Sequence, residues 1–170
     1  MLSRFWKKKA SMMVGIDIGT HAIKAVLLSE GPQGYVLEDY AIETTPRGAV
    51  VDREIQDVEA VGKVIAKIHK NLDSGVSLAA AAVSGQTVIA KTIYMDATLN
   101  DDELASQIEL EADSLIPFPL DEVSLDFESL GINESDPSKV NVLLSAARTE
   151  SIDARVAALA YGEFETKVID

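Results

Sequence analysis

The 170-residue sequence contains no cysteine, which excludes disulfides and thiolate metal sites and agrees with a cytoplasmic setting. It has only two histidines, His21 and His69, without metal-ligand spacing, so a zinc centre is not expected. Nowhere do apolar residues run for the roughly eighteen positions that a membrane-spanning helix needs. After the basic start the apolar stretch meets Asp17 within a few residues, so no signal peptide is read there. Positive charge is also short: 15 Lys and Arg stand against 28 Asp and Glu, for a net charge of −13. Between Lys91 and Lys139 there is no basic residue, against thirteen acids. That balance argues against nucleic-acid binding, which requires a basic face for the phosphates. The acidic stretch itself reads in two ways, as a solubilising surface or as a field that selects a basic partner.

What is present is ample core material, 47% hydrophobic residues against 25% charged, enough for one ordinary domain or two small ones. Residues 1–13 form a basic extension in which Trp6 lies beside Arg4, Lys7, Lys8 and Lys9. This is either a solvated terminus or a weak contact with anionic lipids through residues 1–10. Residues 14–91 begin with alternating Val14, Ile16 and Ile18, then strands Ile23–Leu28 and Tyr35–Ile42, an antiparallel meander. After a loop around Pro46–Asp52, Val58, Val61, Val64, Ile65, Ile68 and Leu72 mark a helix from about Asp57 to Leu72. Ser77–Val83 is a short apolar run suited to a buried parallel strand.

A second α/β pattern occupies residues 92–165. Asn100 and Glu103 form a capping box for a helix carrying Leu104, Ile108, Ala112 and Leu115 inward. Pro117 and Pro119 close it. Val123, Leu125 and Phe127 alternate with polar residues, Val140–Ala147 is an apolar strand, and a helix runs from Thr149 to Gly162. Residues 166–170 read as the start of a further lobe.

The segment with the clearest chemistry is Gly15-Ile16-Asp17-Ile18-Gly19-Thr20-His21-Ala22-Ile23-Lys24. It is a strand, an Asp-x-Gly-Thr turn and a second strand with a lysine seven residues beyond the aspartate. Such a turn can hold a magnesium–triphosphate. Asp17 offers a hard oxygen to the metal, usually through water, and Gly19 lets backbone N–H groups approach phosphate. Thr20 adds a hydroxyl and Lys24 a point charge. Asp and Gly also stabilise turns of every kind, so the motif alone is a common one.

Four segments together are more specific: GIDIGTHAIKAVLL, AAAAVSGQTVIAKTI, ELASQIELEADSLIPFPLDEVSLDFESLG and VNVLLSAARTESIDARV. With them the chain, from Val14 onward, resembles the PilM family of type IV pilus assembly proteins, which are actin-like and related to the cell-division protein FtsA. The resemblance implies an α/β fold: an actin-like (RNase H-like) subdomain followed by a small inserted α/β subdomain of four strands and a helix. It implies ATP and Mg2+ as ligands of the full-length family, with Asp17, Gly19, Thr20 and Lys24 facing the phosphates and Asp17 the magnesium. It implies a cytoplasmic scaffold, peripheral at the inner membrane, that captures the short cytoplasmic tail of the inner-membrane protein PilN and works with pilus motor and platform proteins. Glu111, Ile116, Pro117 and Phe118 are the candidate partner-binding residues, although Ile116–Pro119 also reads as a helix stop with a buried phenylalanine. Family members continue well beyond this length, so the chain is read as an N-terminal half in which nucleotide affinity is weak or absent.

Other readings differ in class. A sugar- or acetate-kinase-type phosphotransferase shares the first loop, and an actin-like cell-division protein shares the fold. No catalytic residue is assigned. Ser84-Gly85-Gln86 lacks a paired base, and Asp101, Asp102 and Glu103 are read as first-turn acids facing the helix macrodipole rather than as a metal cluster.

Overall fold

The computed structural model describes residues 12–72, 74–85 and 88–170. The basic extension therefore lies largely outside the described residues, as does Gln86. The elements in order are β1 (Val14–Ile18), β2 (Ala22–Gly31), β3 (Gly34–Thr44), β4 (Val50–Val51), β5 (Glu54–Ile55), α1 (Val58–Leu72) and β6 (Leu78–Ala81). Then follow β7 (Val88–Asp96), α2 (Asp101–Leu115), a 3-10 turn at Leu120–Glu122, β8 (Val123–Ile132), β9 (Lys139–Arg148), α3 (Thr149–Tyr161) and β10 (Glu165–Ile169). They form two compact units. The first comprises the chain up to Ala82 together with Arg155–Asp170, and the second is Val83–Ala154.

The first unit is built on a five-stranded sheet in the order β10-β6-β1-β2-β3. The β1–β2 and β2–β3 pairs are antiparallel, while β6 runs parallel to both β1 and β10. Strand alternation sets its faces: Val14, Ile16, Ile23, Ala25 and Leu27 point into the core, and Asp17, Lys24 and Val26 point out. Asp57 caps α1 by accepting the Ala60 N–H at 2.9 Å. The buried stripe Val61, Ile65, Ile68 and Leu72 then lays the helix on the sheet. Glu43 on β3 ties down its far half through Lys67 (2.6 Å) and Asn71 (3.0 Å). Where α1 meets the end of α3 there is room only for hydrogen. A Cβ on Gly62 would lie 2.5 Å from Tyr161 Cβ, and one on Gly162 2.3 Å from Ile65 Cγ2. This is the actin-like (RNase H-like) arrangement, three antiparallel strands extended by parallel ones.

Two sequence expectations change here. Residues 166–169 belong to β10 at the edge of the first sheet and Asp170 follows it, with the Glu165 N–H on the Ser77 carbonyl (2.7 Å) and the Asp170 N–H on that of Ala81 (2.9 Å). The open edge of β6 supplies acceptors that an extended segment following α3 can satisfy. The unit boundaries lie at 82/83 and 154/155 rather than at 91/92 and 165/166, because Val88–Lys91 pairs with β9 and α3 from Arg155 onward packs in the first unit.

The interruption of the first unit is closed by one side chain. Arg155 is 2% exposed; its Nε donates to the Ala82 carbonyl at 2.9 Å and its Nη2 to the Arg53 carbonyl at 2.7 Å, with Glu54 Oε2 at 3.6 Å from Nη1. Ala82 and Arg155 are the last residue before the insertion and the first one after it.

The second unit is an antiparallel sheet, β7-β9-β8, with α2 on one face. Leu104, Ile108 and Ala112 of α2 and Ile116 beyond it pack on Ile93, Met95, Val142, Leu144 and Ala146. The capping box forms as read: Asn100 Oδ1 accepts from the N–H groups of Asp102 (3.0 Å) and Glu103 (3.1 Å), and Glu103 accepts from the Asn100 N–H (3.0 Å). Among the described residues the unit has three strands, not four. At the open end of the β7–β9 ladder sit two matching turns. Asp96 Oδ1 accepts from the Thr98 N–H (2.9 Å) and hydroxyl (2.7 Å), and Asp136 Oδ1 from those of Ser138 (3.0 and 2.7 Å).

Two predictions follow from these contacts. Arg155→Met keeps the bulk but removes the buried guanidinium that bonds the Ala82 and Arg53 carbonyls, and it should lower unfolding stability by about 3 kcal/mol in urea titration. A loss below about 0.5 kcal/mol would show that the guanidinium is not what closes the insertion. The second concerns acid. Hydrogen bonds from Thr98 hold the Asp96 carboxyl below its ordinary range, and those from Ser138 do the same for Asp136. A carboxyl lowered in the folded state stabilises above its unfolded pKa, and that contribution is lost as pH falls through the folded value. The β7–β9 end that carries these turns should therefore loosen below about pH 4, seen as lower amide protection factors, corrected for the intrinsic rate at each pH, in β7 and β9. Asp96→Asn with Asp136→Asn should flatten that dependence; an unchanged acid profile in the double variant would refute it.

Candidate functional site

The Asp-x-Gly-Thr turn joins β1 to β2 at the end of the sheet. Its frame is made of backbone. The Gly19 N–H reaches the Ala22 carbonyl at 3.1 Å, the Thr45 hydroxyl donates to the Gly19 carbonyl at 2.6 Å, and the Thr45 N–H to that of His21 at 3.0 Å. Thr45, at the end of β3, is itself buried. Close approach explains the glycine: a Cβ at Gly19 would meet the Ala22 oxygen at 2.9 Å.

Asp17 and Lys24 are register partners on β1 and β2 and share the outer face. They pair with each other, Lys24 Nζ to Asp17 Oδ2 at 2.9 Å, with 54% and 65% of their side-chain surfaces in solvent. An exposed pair of this kind contributes about 0–1 kcal/mol, so either partner can turn to a ligand at little cost. A carboxylate oxygen, a lysine ammonium and the exposed Thr20 hydroxyl on one frame fit a magnesium–phosphate group chemically. Thr20 and His21 also border a depression of about 640 Å³ whose other wall is the β4–β5 ribbon with Arg47 and Arg53. Two residues per strand carry no periodicity, so in the sequence that ribbon is indistinguishable from a loop.

In the second unit the four partner-binding candidates separate. Glu111 is exposed on α2 and accepts from Gln107 Nε2 at 2.9 Å. Ile116 is 5% exposed and belongs to the core, its N–H closing α2 on the Ala112 carbonyl at 2.9 Å. Its extended backbone (φ −114°, ψ 122°) is what a residue before proline adopts. Pro117 is exposed, and Phe118 is half-buried beneath the guanidinium of Arg148, 5.1 Å from its ring centroid. Arg148 was not singled out from sequence; as the last residue of β9 it carries no local signal of a distant aromatic partner. Among the described residues no helix is long and apolar enough to cross a membrane.

Sheet order and the Asp-x-Gly-Thr turn together define an actin-like protein carrying an inserted α/β unit. Residues 15–170 match the family described as "Type IV pilus assembly protein PilM", and the chain belongs to that family. It is similar to a solved PilM–PilN type IV pilus biogenesis complex, with 26% identity and a TM-score of 0.83 over 95% of this chain and 47% of that one. It also resembles the cytoplasmic domain of EpsL, an inner-membrane component of the type II secretion system of Vibrio cholerae. There the TM-score is 0.55 with 13% identity, over 94% of this chain and 57% of that one, a likeness of fold. The chain thus spans about half the length of the chains that it matches.

The frame of the turn yields a test. Gly19→Ala should destabilise the protein by about 1–3 kcal/mol, read as a drop in Tm, since the clash is with backbone and not with a movable side chain. An unaltered Tm would mean that the turn relaxes and is not held by Thr45.

Proposed function

We propose that the protein is a nucleotide-binding scaffold of type IV pilus assembly that captures the cytoplasmic tail of a PilN-like inner-membrane protein. The observation that carries this reading is the structural likeness, TM-score 0.83 along 95% of the chain, to a PilM that was solved with PilN. The charge pattern supports it independently. Segments on the cytoplasmic side of membrane spans carry excess Lys and Arg, and the second unit is rich in acids. Exposed Glu111 and Pro117 and half-buried Phe118 would offer such a tail an acid and an apolar contact, with Ile116 supporting them from the core.

On the first unit, Asp17 would serve magnesium through water, Thr20 and Lys24 the phosphates of ATP, and Gly19 the close approach of backbone. Magnesium, when bound, supplies neutralisation of phosphate charge. Nothing on this chain is assigned a catalytic step; its residues bind and orient. The working place is the cytoplasmic face of the inner membrane, with residues 1–10 as a peripheral contact and the pilus motor and platform proteins as further partners.

The test is a fluorescence-anisotropy titration with a labelled PilN N-terminal tail. We expect a roughly micromolar complex that weakens severalfold as salt rises from low to physiological, because an acidic surface meeting a basic tail is screened. Absence of binding at low ionic strength would sink the reading. Binding indifferent to salt would remove the acids from it.

A further inference from the structure

The depression beside the phosphate turn has a character that the Asp17–Lys24 face lacks. Two of the five arginines of a chain with net charge −13, Arg47 and Arg53, line it together. Among the described residues neither guanidinium has a carboxylate partner. Asp52 is the single acid of the lining, while Thr20 contributes a hydroxyl and His21 an imidazole. Elsewhere in the described first unit, Lys24, Lys63, Lys67 and Lys167 pair with acids, and Lys70, on α1, is not among the residues that line the depression. Unpaired guanidinium forks gathered around one concavity are the arrangement that planar, multidentate recognition of phosphate uses.

The wall that presents them is rigid. Asp52 and Arg53, the turn of the β4–β5 ribbon, both have left-handed backbone, φ +50° and +70°. That turn favours glycine or asparagine, and an arginine persists there only where the surroundings over-determine it. Here the surroundings are visible. Arg155 Nη2 holds the Arg53 carbonyl at 2.7 Å, and the Gln56 N–H holds that of Ala49 at 2.8 Å. On the opposite wall Thr45 fixes the turn that bears Thr20 and His21.

We propose that this depression is an anion site in which Arg47 and Arg53, with the Thr20 hydroxyl, bind the diphosphate moiety of a phosphate-bearing ligand. Neither Asp17 nor Lys24 lines it, Thr20 is common to it and the turn, and it requires no metal. The diphosphate can come from a nucleotide or from free pyrophosphate. Only the first source rests on the nucleotide reading above.

The experiment is calorimetric titration of the whole chain at low ionic strength with pyrophosphate, orthophosphate and metal-free ATP. Variants are Arg47→Gln, Arg53→Gln, the double variant, Asp17→Asn, and Lys63→Gln as a charge control. Both arginines are exposed, so the variants should fold, which melting curves check. The expected result is pyrophosphate binding that weakens about tenfold or more in the double variant, while Lys63→Gln leaves it unchanged. ATP binding tighter than pyrophosphate would point to a nucleotide as the source, and equal affinities to the diphosphate alone. The site is overturned if wild type binds no pyrophosphate, or if the double variant binds it as wild type does. Magnesium–ATP binding that is lost in Asp17→Asn but intact in the double variant would leave the nucleotide reading standing and this site fallen. Arginine-dependent pyrophosphate binding without any magnesium–ATP binding would do the reverse.

Discussion

A guanidinium with 2% exposure is a costly thing to bury, and the first unit is organised around meeting that cost. Arg155 finds the Ala82 carbonyl, the Arg53 carbonyl and the Glu54 carboxylate. The first joins the two points between which residues 83–154 leave the first unit and return to it. An insertion of that length separates α3 and β10 from the sheet they complete, and bringing them back carries a loop-closure entropy. The hydrogen bond across the gap makes exit and re-entry neighbours, so β10 can find the open edge of β6. Hydrophobic burial alone, through Ala158, Leu159 and Phe164, would place α3 with less positional precision.

The other two contacts carry the same constraint to the candidate site. Arg53 and Glu54 are the turn and the second strand of the small ribbon, which has too few residues to be stable by its own ladder. Pinned by Arg155, the ribbon can keep two left-handed residues, Asp52 and Arg53, where they line the depression. Thr45 does the corresponding work from the end of β3. A burial deep in the first unit thus fixes the geometry of a depression at its surface.

What was legible in the sequence was whatever a local period or a local cap can express. Alternation exposed β1, β2 and β8, the helical stripe exposed α1, and Asn100 with Glu103 announced α2. What depends on distant partners was not legible. Arg155 lies between Ile152 and Val156 on a helix whose apolar pattern would ordinarily leave an arginine in water; its burial is set by carbonyls 73 and 102 residues away. Strand β7 was hidden because Lys91 and Thr92 break its apolar run, and its inward pair, Ile93 and Met95, has meaning only once α2 is laid over it. Ile116 shows the complementary difficulty. An apolar residue before Pro-Phe-Pro is equally suited to a partner's groove or to the core, and only its 5% exposure separates the two.

The phosphate turn combines two kinds of interaction whose strengths differ in a useful direction. Its frame consists of short bonds between backbone and a buried threonine, in a place where no Cβ fits at Gly19, so it resists deformation. Its charges, Asp17 and Lys24, meet in solvent and are held by an interaction that water and salt largely cancel. That division suits the anion exchange proposed for the turn. Rigid backbone limits the entropy lost on binding, while a weak internal ion pair frees the lysine without a large penalty. Were the pair buried, as Arg155 is, breaking it would cost several kcal/mol and the turn would be a structural bracket. Its exposure leaves both charges available to a ligand, which is what the proposed binding role of the turn requires.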